Sequence, residues 1–155
     1  ENTPQSFLGI KAANKTILQE WKVKQGLPDR INHVIQKCNP FEIGLSDFVN
    51  LEKGCYLGQE TLSKVKNMGI LKYQLRFFEY EGKLNSGEKL ILSSEYGENN
   101  SNENGGLVCS SILSGDNNTI GLALIRRRFS SYDDLQLSEG RGRIKIKIPL
   151  GFKGI

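Results

Sequence analysis

The chain has a single histidine, His33, and only three cysteines, Cys38, Cys55 and Cys109, far apart and with no C-x-x-C pair. A structural zinc site needs about four nitrogen or sulfur ligands, and these four scattered side chains do not make one. An odd, scattered set of thiols is no disulfide framework either, which points to a reducing compartment, the cytoplasm. No apolar run approaches the roughly 20 residues of a membrane span, and no signal-peptide pattern opens the sequence. Heptads, internal repeats and nucleotide-binding glycine fingerprints are missing. Gly140-Arg141-Gly142 comes nearest to a fingerprint, but strand-like sequence follows it where a phosphate loop needs a helix. His33 is as readily a surface side chain as a base, so no serine–histidine–acid arrangement can be assembled. The net charge of +4 is mild and fits a cytosolic protein as well as an RNA binder.

What is present is an ordinary globular composition, 37% hydrophobic and 25% charged over 155 residues, enough for one domain or two small ones. Residues 1–9 are polar and read as loose. Asn14 can cap a helix with Ile17, Leu18, Trp21 and Val23 on one face, Trp21 serving as a core anchor, ended by Gly26 and Pro28. Residues 29–37 are weakly patterned. Pro40 can start a short helix with Glu42 as a solvated charge in its first turn, and Phe48, Val49 and Leu51 read as a short buried strand. A second helix carries Leu57, Thr61, Leu62 and Val65.

After Met68-Gly69 the apolar period changes from 3.6 to 2. Leu71, Tyr73, Leu75 and Phe77 alternate with Lys72, Gln74, Arg76 and Phe78, predicting a half-buried strand. Further strands are predicted over 89–92, 107–113, 119–125 and 135–137. Residues 143–148 alternate strictly, and a polar surface loop over 96–106 and turns at 84–87 and 115–118 separate the runs. Short strands at this spacing predict a small antiparallel β-barrel. Arg126-Arg127-Arg128 reads as a solvated strand end; as a phosphate or RNA contact it lacks an aromatic stacking platform beside it.

The densest chemistry lies in Lys53-Gly54-Cys55-Tyr56-Leu57-Gly58-Gln59-Glu60. A base, a thiol, two glycines, an amide and a carboxylate fall within eight residues, and the second helix starts inside them. A helix N-terminus and a nearby lysine both favour thiolate over thiol. The competing interpretation of Cys55 is a small buried apolar residue.

These eight residues resemble the Lys-Gly-Cys-Tyr-x-Gly-Gln-Glu signature of the YgfZ family, folate-binding proteins related to the glycine cleavage T-protein and linked to iron–sulfur cluster maintenance. Asn39-Pro40-Phe41-Glu42-Ile43-Gly44-Leu45 resembles a run in the plant and cyanobacterial branch, and Gly121-Leu122-Ala123-Leu124-Ile125-Arg126-Arg127 a run typical of the family's terminal barrel. The resemblance implies an α+β chain. Residues 1–68 would end a T-protein-like folate-binding α/β module and residues 69–155 would form a C-terminal barrel, with a further module upstream in a longer chain. It implies tetrahydrofolate or a derivative as cofactor, Cys55 as the reactive group, and Lys53, Tyr56, Gly58, Gln59 and Glu60 along the folate channel. The implied function is assembly or repair of iron–sulfur enzymes, with those enzymes or their assembly machinery as partners. One-carbon transfer as an aminomethyltransferase is the alternative. The T-protein, however, has an acidic pterin contact in the segment resembled by residues 21–28, and Lys24 stands at that position. A non-catalytic RNA-binding module using residues 126–128 is the third possibility.

Overall fold

In the computed structural model the period-2 region closes into a barrel of six antiparallel strands. The structure describes residues 6–7, 10–11, 14–27, 38–92, 103–115, 117–138 and 141–155. His33 and the weakly patterned 29–37 lie outside the described residues. The strands are β3 (Tyr73–Glu81), β4 (Lys89–Leu92), β5 (Glu103–Leu113), β6 (Asn118–Arg126), β7 (Asp134–Leu137) and β8 (Arg143–Lys147). Around the barrel they run β3-β6-β5-β4-β7-β8, and β8 returns to β3 through Phe78 opposite Ile146. Two short strands, β1 (Ser6–Phe7) and β2 (Ile10–Lys11), pair with each other, so part of the N-terminal segment read as loose is ordered. Helix α1 spans Lys15–Gln25 and helix α2 Gln59–Met68. Neither is long and apolar enough to cross a membrane.

Alternation explains the barrel interior. In β8, Ile144 and Ile146 are buried while Arg143, Lys145 and Lys147 face out. They join Phe78, Leu90, Val108, Ala123, Ile125, Leu135 and Leu137 in a core to which all six strands contribute. A second core lies on the other face of β3, β5 and β6, where Leu75, Phe77, Cys109, Ile120, Leu122 and Leu124 pack with Val23 of α1 and with the half-buried Ile43 and Phe152. Covering both faces buries β6 almost throughout and the middle of β3 from Leu75 to Phe78. At about 1.5–3 kcal/mol for each large apolar side chain removed from water, these two clusters dominate the fold's stability.

Several expectations need correction. β5 starts at Glu103, four residues earlier than predicted, because Glu103, Asn104 and Gly106 pair with β4 across a register shift at Gly105. A Cβ on Gly106 would lie 3.0 Å from Ile125 Cδ1 and closer still to the Leu124 carbonyl, an approach only glycine allows. Trp21 is no core anchor: it is 52% exposed, and Val23 is the residue that α1 buries in the second core. Phe48 ends a short 3-10 turn (Ser46–Phe48) and is 82% exposed, so the predicted buried strand there does not form. The capping of α1 is as read: Asn14 Oδ1 accepts from Thr16 N–H at 3.0 Å, and Gly26 closes the helix with φ 81°.

Glu42 is the largest surprise in the local structure. It is 4% exposed, not solvated. Its Oε1 accepts from the backbone N–H groups of Lys72 and Tyr73 at 2.9 and 3.1 Å, and its Oε2 from that of Asn39 at 3.1 Å. Its carbonyl accepts from Leu75 N–H at 2.8 Å. One residue thereby fastens the 39–45 turn to the first strand of the barrel. The chain after β8 adds a second fastening: Leu150 N–H donates to Lys24 O, Lys153 N–H to Gly44 O, and Ser46 Oγ to Lys153 O.

Candidate functional site

The Lys53–Glu60 loop is held from within. Asn50 Oδ1 accepts from Glu52 and Lys53 N–H at 2.8 and 3.0 Å, turning the chain into the loop. Gln59, in the first turn of α2, reaches back over it: Nε2 donates to the carbonyls of Leu51 at 2.8 Å and Lys53 at 3.2 Å, and Oε1 accepts from Tyr56 N–H at 3.3 Å. Gly58 is the N-cap of α2 with φ 88°, a left-handed conformation that side chains disfavour, so glycine is needed there for the backbone. Leu57, beside it, is fully exposed.

Within this frame the residues expected to form a site divide in two. Lys53 Nζ sits 5.2 Å from the centre of the Tyr56 ring, a cation–π approach. The Tyr56 hydroxyl is enclosed, yet it has no hydrogen-bond partner among the described residues. Cys55, between them, is exposed. These three share one short segment, with Lys53 and Cys55 exposed and the Tyr56 hydroxyl enclosed. Gln59 is occupied by the loop's own backbone, and Glu60 forms an exposed i,i+4 ion pair with Lys64 at 2.7 Å. Such pairs add a few tenths of a kcal/mol to a helix. Cys55 itself lies four positions ahead of the first helical residue, Gln59.

The other two thiols are in different surroundings. Burial, with the Glu42 carboxylate adding to it, pushes the Cys38 thiol up to about 11. Burial pushes Cys109 up to about 12, and its Sγ lies 3.6 Å from the Leu107 carbonyl. Both therefore stay protonated at neutral pH. No group of three or more histidine, cysteine or acidic side chains that could hold a metal ion forms among the described residues.

Arg76 is a functional candidate that strand patterning put on the wrong kind of surface. Its place between Gln74 and Phe78 reads as a polar face, but that face points into one end of the barrel and Arg76 is 5% exposed. One signal was present in the sequence: the same alternate positions carry Phe78 and Tyr80, both too apolar for a solvent-facing row. No protein-family model matches the chain, and no curated protein matches it either.

Proposed function

We propose that this chain is part of a folate-binding accessory protein of the YgfZ kind, serving the assembly or repair of iron–sulfur enzymes. On this reading, residues 1–68 end a T-protein-like module and the barrel is the module that follows it. The enclosed, unpartnered Tyr56 hydroxyl carries the proposal. A buried hydroxyl without a partner costs about 1–3 kcal/mol, and a ligand that supplies one removes that cost. The exposed Lys53 and Cys55 beside it give a positive charge and a nucleophile at the same place. Exposed apolar side chains on α1 and around α2 (Trp21, Leu57, Met68, Ile70) are what a face covered by a further module presents.

The fit to tetrahydrofolate is selective. Tyr56 and Lys53 would hold it, through the hydroxyl and through a charge that suits a carboxylate or a polarised ring. Gly58, Gln59 and Glu60 would act by shaping the loop and helix, not by touching it. Tetrahydrofolate, when bound, carries or accepts a one-carbon unit; the Cys55 thiol would be the protein's own nucleophile near it. Lys24, an exposed cation at the position where the T-protein has an acid, disfavours aminomethyl transfer.

The test is calorimetric titration of tetrahydrofolate into this chain and into the chain extended upstream. Weak or no binding by the former and clear binding by the latter is expected. In the extended chain Tyr56→Phe should weaken binding about tenfold, the equivalent of one hydrogen bond of roughly 1.4 kcal/mol. Tight binding by the 155 residues alone would refute the incomplete channel. An unchanged affinity in Tyr56→Phe would refute the assigned contact.

A further inference from the structure

Where β3 begins and β6 ends, the barrel carries an open cleft of about 650 Å³ lined by Leu71, Lys72, Tyr73, Arg126, Arg127 and Arg128. Arg128 is engaged, 2.9 Å from Glu103 and stacked over the Phe129 ring. Among the described residues, Lys72, Arg126 and Arg127 have no carboxylate within ion-pair distance. Close to Arg127 lies Arg76. Its buried guanidinium donates only to neutral acceptors: the Leu75 carbonyl at 3.1 Å, Gln74 Oε1 at 2.5 Å and the Ser130 carbonyl at 3.2 Å. The Phe152 ring covers it at 5.7 Å. Arg127 donates to the hydroxyl of the same Ser130 at 3.0 Å, so two guanidiniums converge on one residue.

A buried charge is ordinarily paired, and no described carboxylate pairs with Arg76. Burial first, and then the like charge of Arg127, lowers its pKa to about 10, both disfavouring the cation. The fold therefore maintains an excess of positive charge around a cleft whose remaining wall, Leu71 and Tyr73, is largely apolar. Guanidinium groups present planar pairs of donors that match the oxygens of a phosphate or a carboxylate.

We propose that this cleft binds a small ligand through an oxyanion, a phosphate or carboxylate group held by Lys72, Arg126 and Arg127 with the Arg76 guanidinium as fixed positive charge close to Arg127. The site stands on different residues from the Lys53–Glu60 loop and does not depend on the folate reading. Binding would neutralise the cluster without moving the strands, because Arg76 is already fixed by three acceptors.

Calorimetric titration at low ionic strength, with inorganic pyrophosphate in one arm and glutarate in the other, tests it. Saturable one-site binding is expected in at least one arm, and the tighter arm identifies the ligand as phosphate- or carboxylate-bearing. Lys72→Gln and Arg127→Gln, both at exposed positions, should each raise Kd about tenfold, the loss of one charge-assisted contact. Arg143→Gln removes the same charge from β8, where the arginine pairs with Asp134, and should leave Kd unchanged. Absence of saturation in both arms overturns the proposal. So does an equal loss in Arg143→Gln, which would mean that net charge alone attracts the anion. Binding of single-stranded polyuridylate with a steep salt dependence, but of neither small anion, would also overturn it in favour of a nucleic-acid surface.

Discussion

Replacing Glu42 should unfasten the 39–45 turn from the barrel, and the structure sets the size of the effect. The carboxylate accepts three backbone hydrogen bonds, from Asn39, Lys72 and Tyr73, inside a 4% exposed side chain. In Glu42→Ala all three N–H groups lose their acceptor, and an orphaned buried donor costs about 1–3 kcal/mol. Two effects reduce the sum. Water can enter the vacated volume, and the desolvation of a buried charge, itself worth several kcal/mol, disappears with the carboxylate. A net loss of about 2–4 kcal/mol is expected, a large part of the 5–15 kcal/mol typical of a domain. Glu42→Gln keeps the shape and one oxygen. That oxygen can still serve Lys72 and Tyr73, leaving the new amide group facing the Asn39 N–H, so about 1–2 kcal/mol should be lost. Urea denaturation at constant m-value measures both. Hydrogen exchange should show Lys72 and Tyr73 amides losing protection while Leu75, bonded to the Glu42 carbonyl, is affected less. An alanine variant within about 1 kcal/mol of the parent, or a glutamine variant as unstable as the alanine, would refute the clamp.

The remaining expectations rest on glycine and thiol environments. Gly121→Ala puts a Cβ 2.5 Å from the Phe78 ring and closer to the Ser110 carbonyl, in the middle of β3, β6 and β5. It should cost about 1–3 kcal/mol, lowering Tm by several degrees in a thermal melt, and an unchanged Tm would contradict the packing. Cys55, exposed, should alkylate fastest at neutral pH, with Cys38 and Cys109 held back by burial and by raised pKa values of about 11 and 12. Mass-spectrometric rates decide, and equal rates for Cys55 and Cys109 in the intact protein would end the reactive-thiol mechanism. A thiol pKa raised in the folded state contributes stability that is complete below the unfolded value of about 8.5 and is lost as pH rises towards the folded value. For Cys109 that window ends near pH 12, and the loss within it is about 1.4 kcal/mol per pH unit. Cys109→Ala should flatten the alkaline limb of a stability–pH curve; an identical slope would refute the burial argument.

The barrel was legible because its strands follow the rule on which sequence patterning rests. β8 alternates without exception, and turns at Gly87 and Gly115 punctuate the strands, both with φ near +90° or +80°. Boundaries slipped where that rule has no purchase. β5 enters through two glycines, which carry no side chain to report a face. β6 is buried on both faces, so its apolar residues show a run and not a period. In α1 the apolar spacing correctly predicted a helix, but Ile17, Leu18 and Trp21 remain exposed. Periodicity records which side chains belong together on a face; it does not record what lies against that face.

The candidate site divides along the same line, between short-range and long-range contacts. Gly58 as a turn into the helix and Gln59 as part of its first turn were readable from eight residues, because their partners lie within those eight or just before them. Glu42 and Arg76 were not. Glu42 finds two of its partners thirty and thirty-one residues later, at the start of β3, and Arg76 finds Ser130 fifty-four residues away. In sequence each is a charge on a polar position, and solvation is its default state. Folding reverses that default by placing a backbone edge with spare N–H groups over the carboxylate and a barrel end around the guanidinium. The carboxylate then has full hydrogen-bond compensation and becomes a structural fastener. The guanidinium has neutral acceptors, an aromatic ring and a second arginine nearby, but no described counter-charge. This is why the two buried charges separate by role, Glu42 holding the turn to the barrel and Arg76 standing close to Arg127, which lines a cleft suited to an anion.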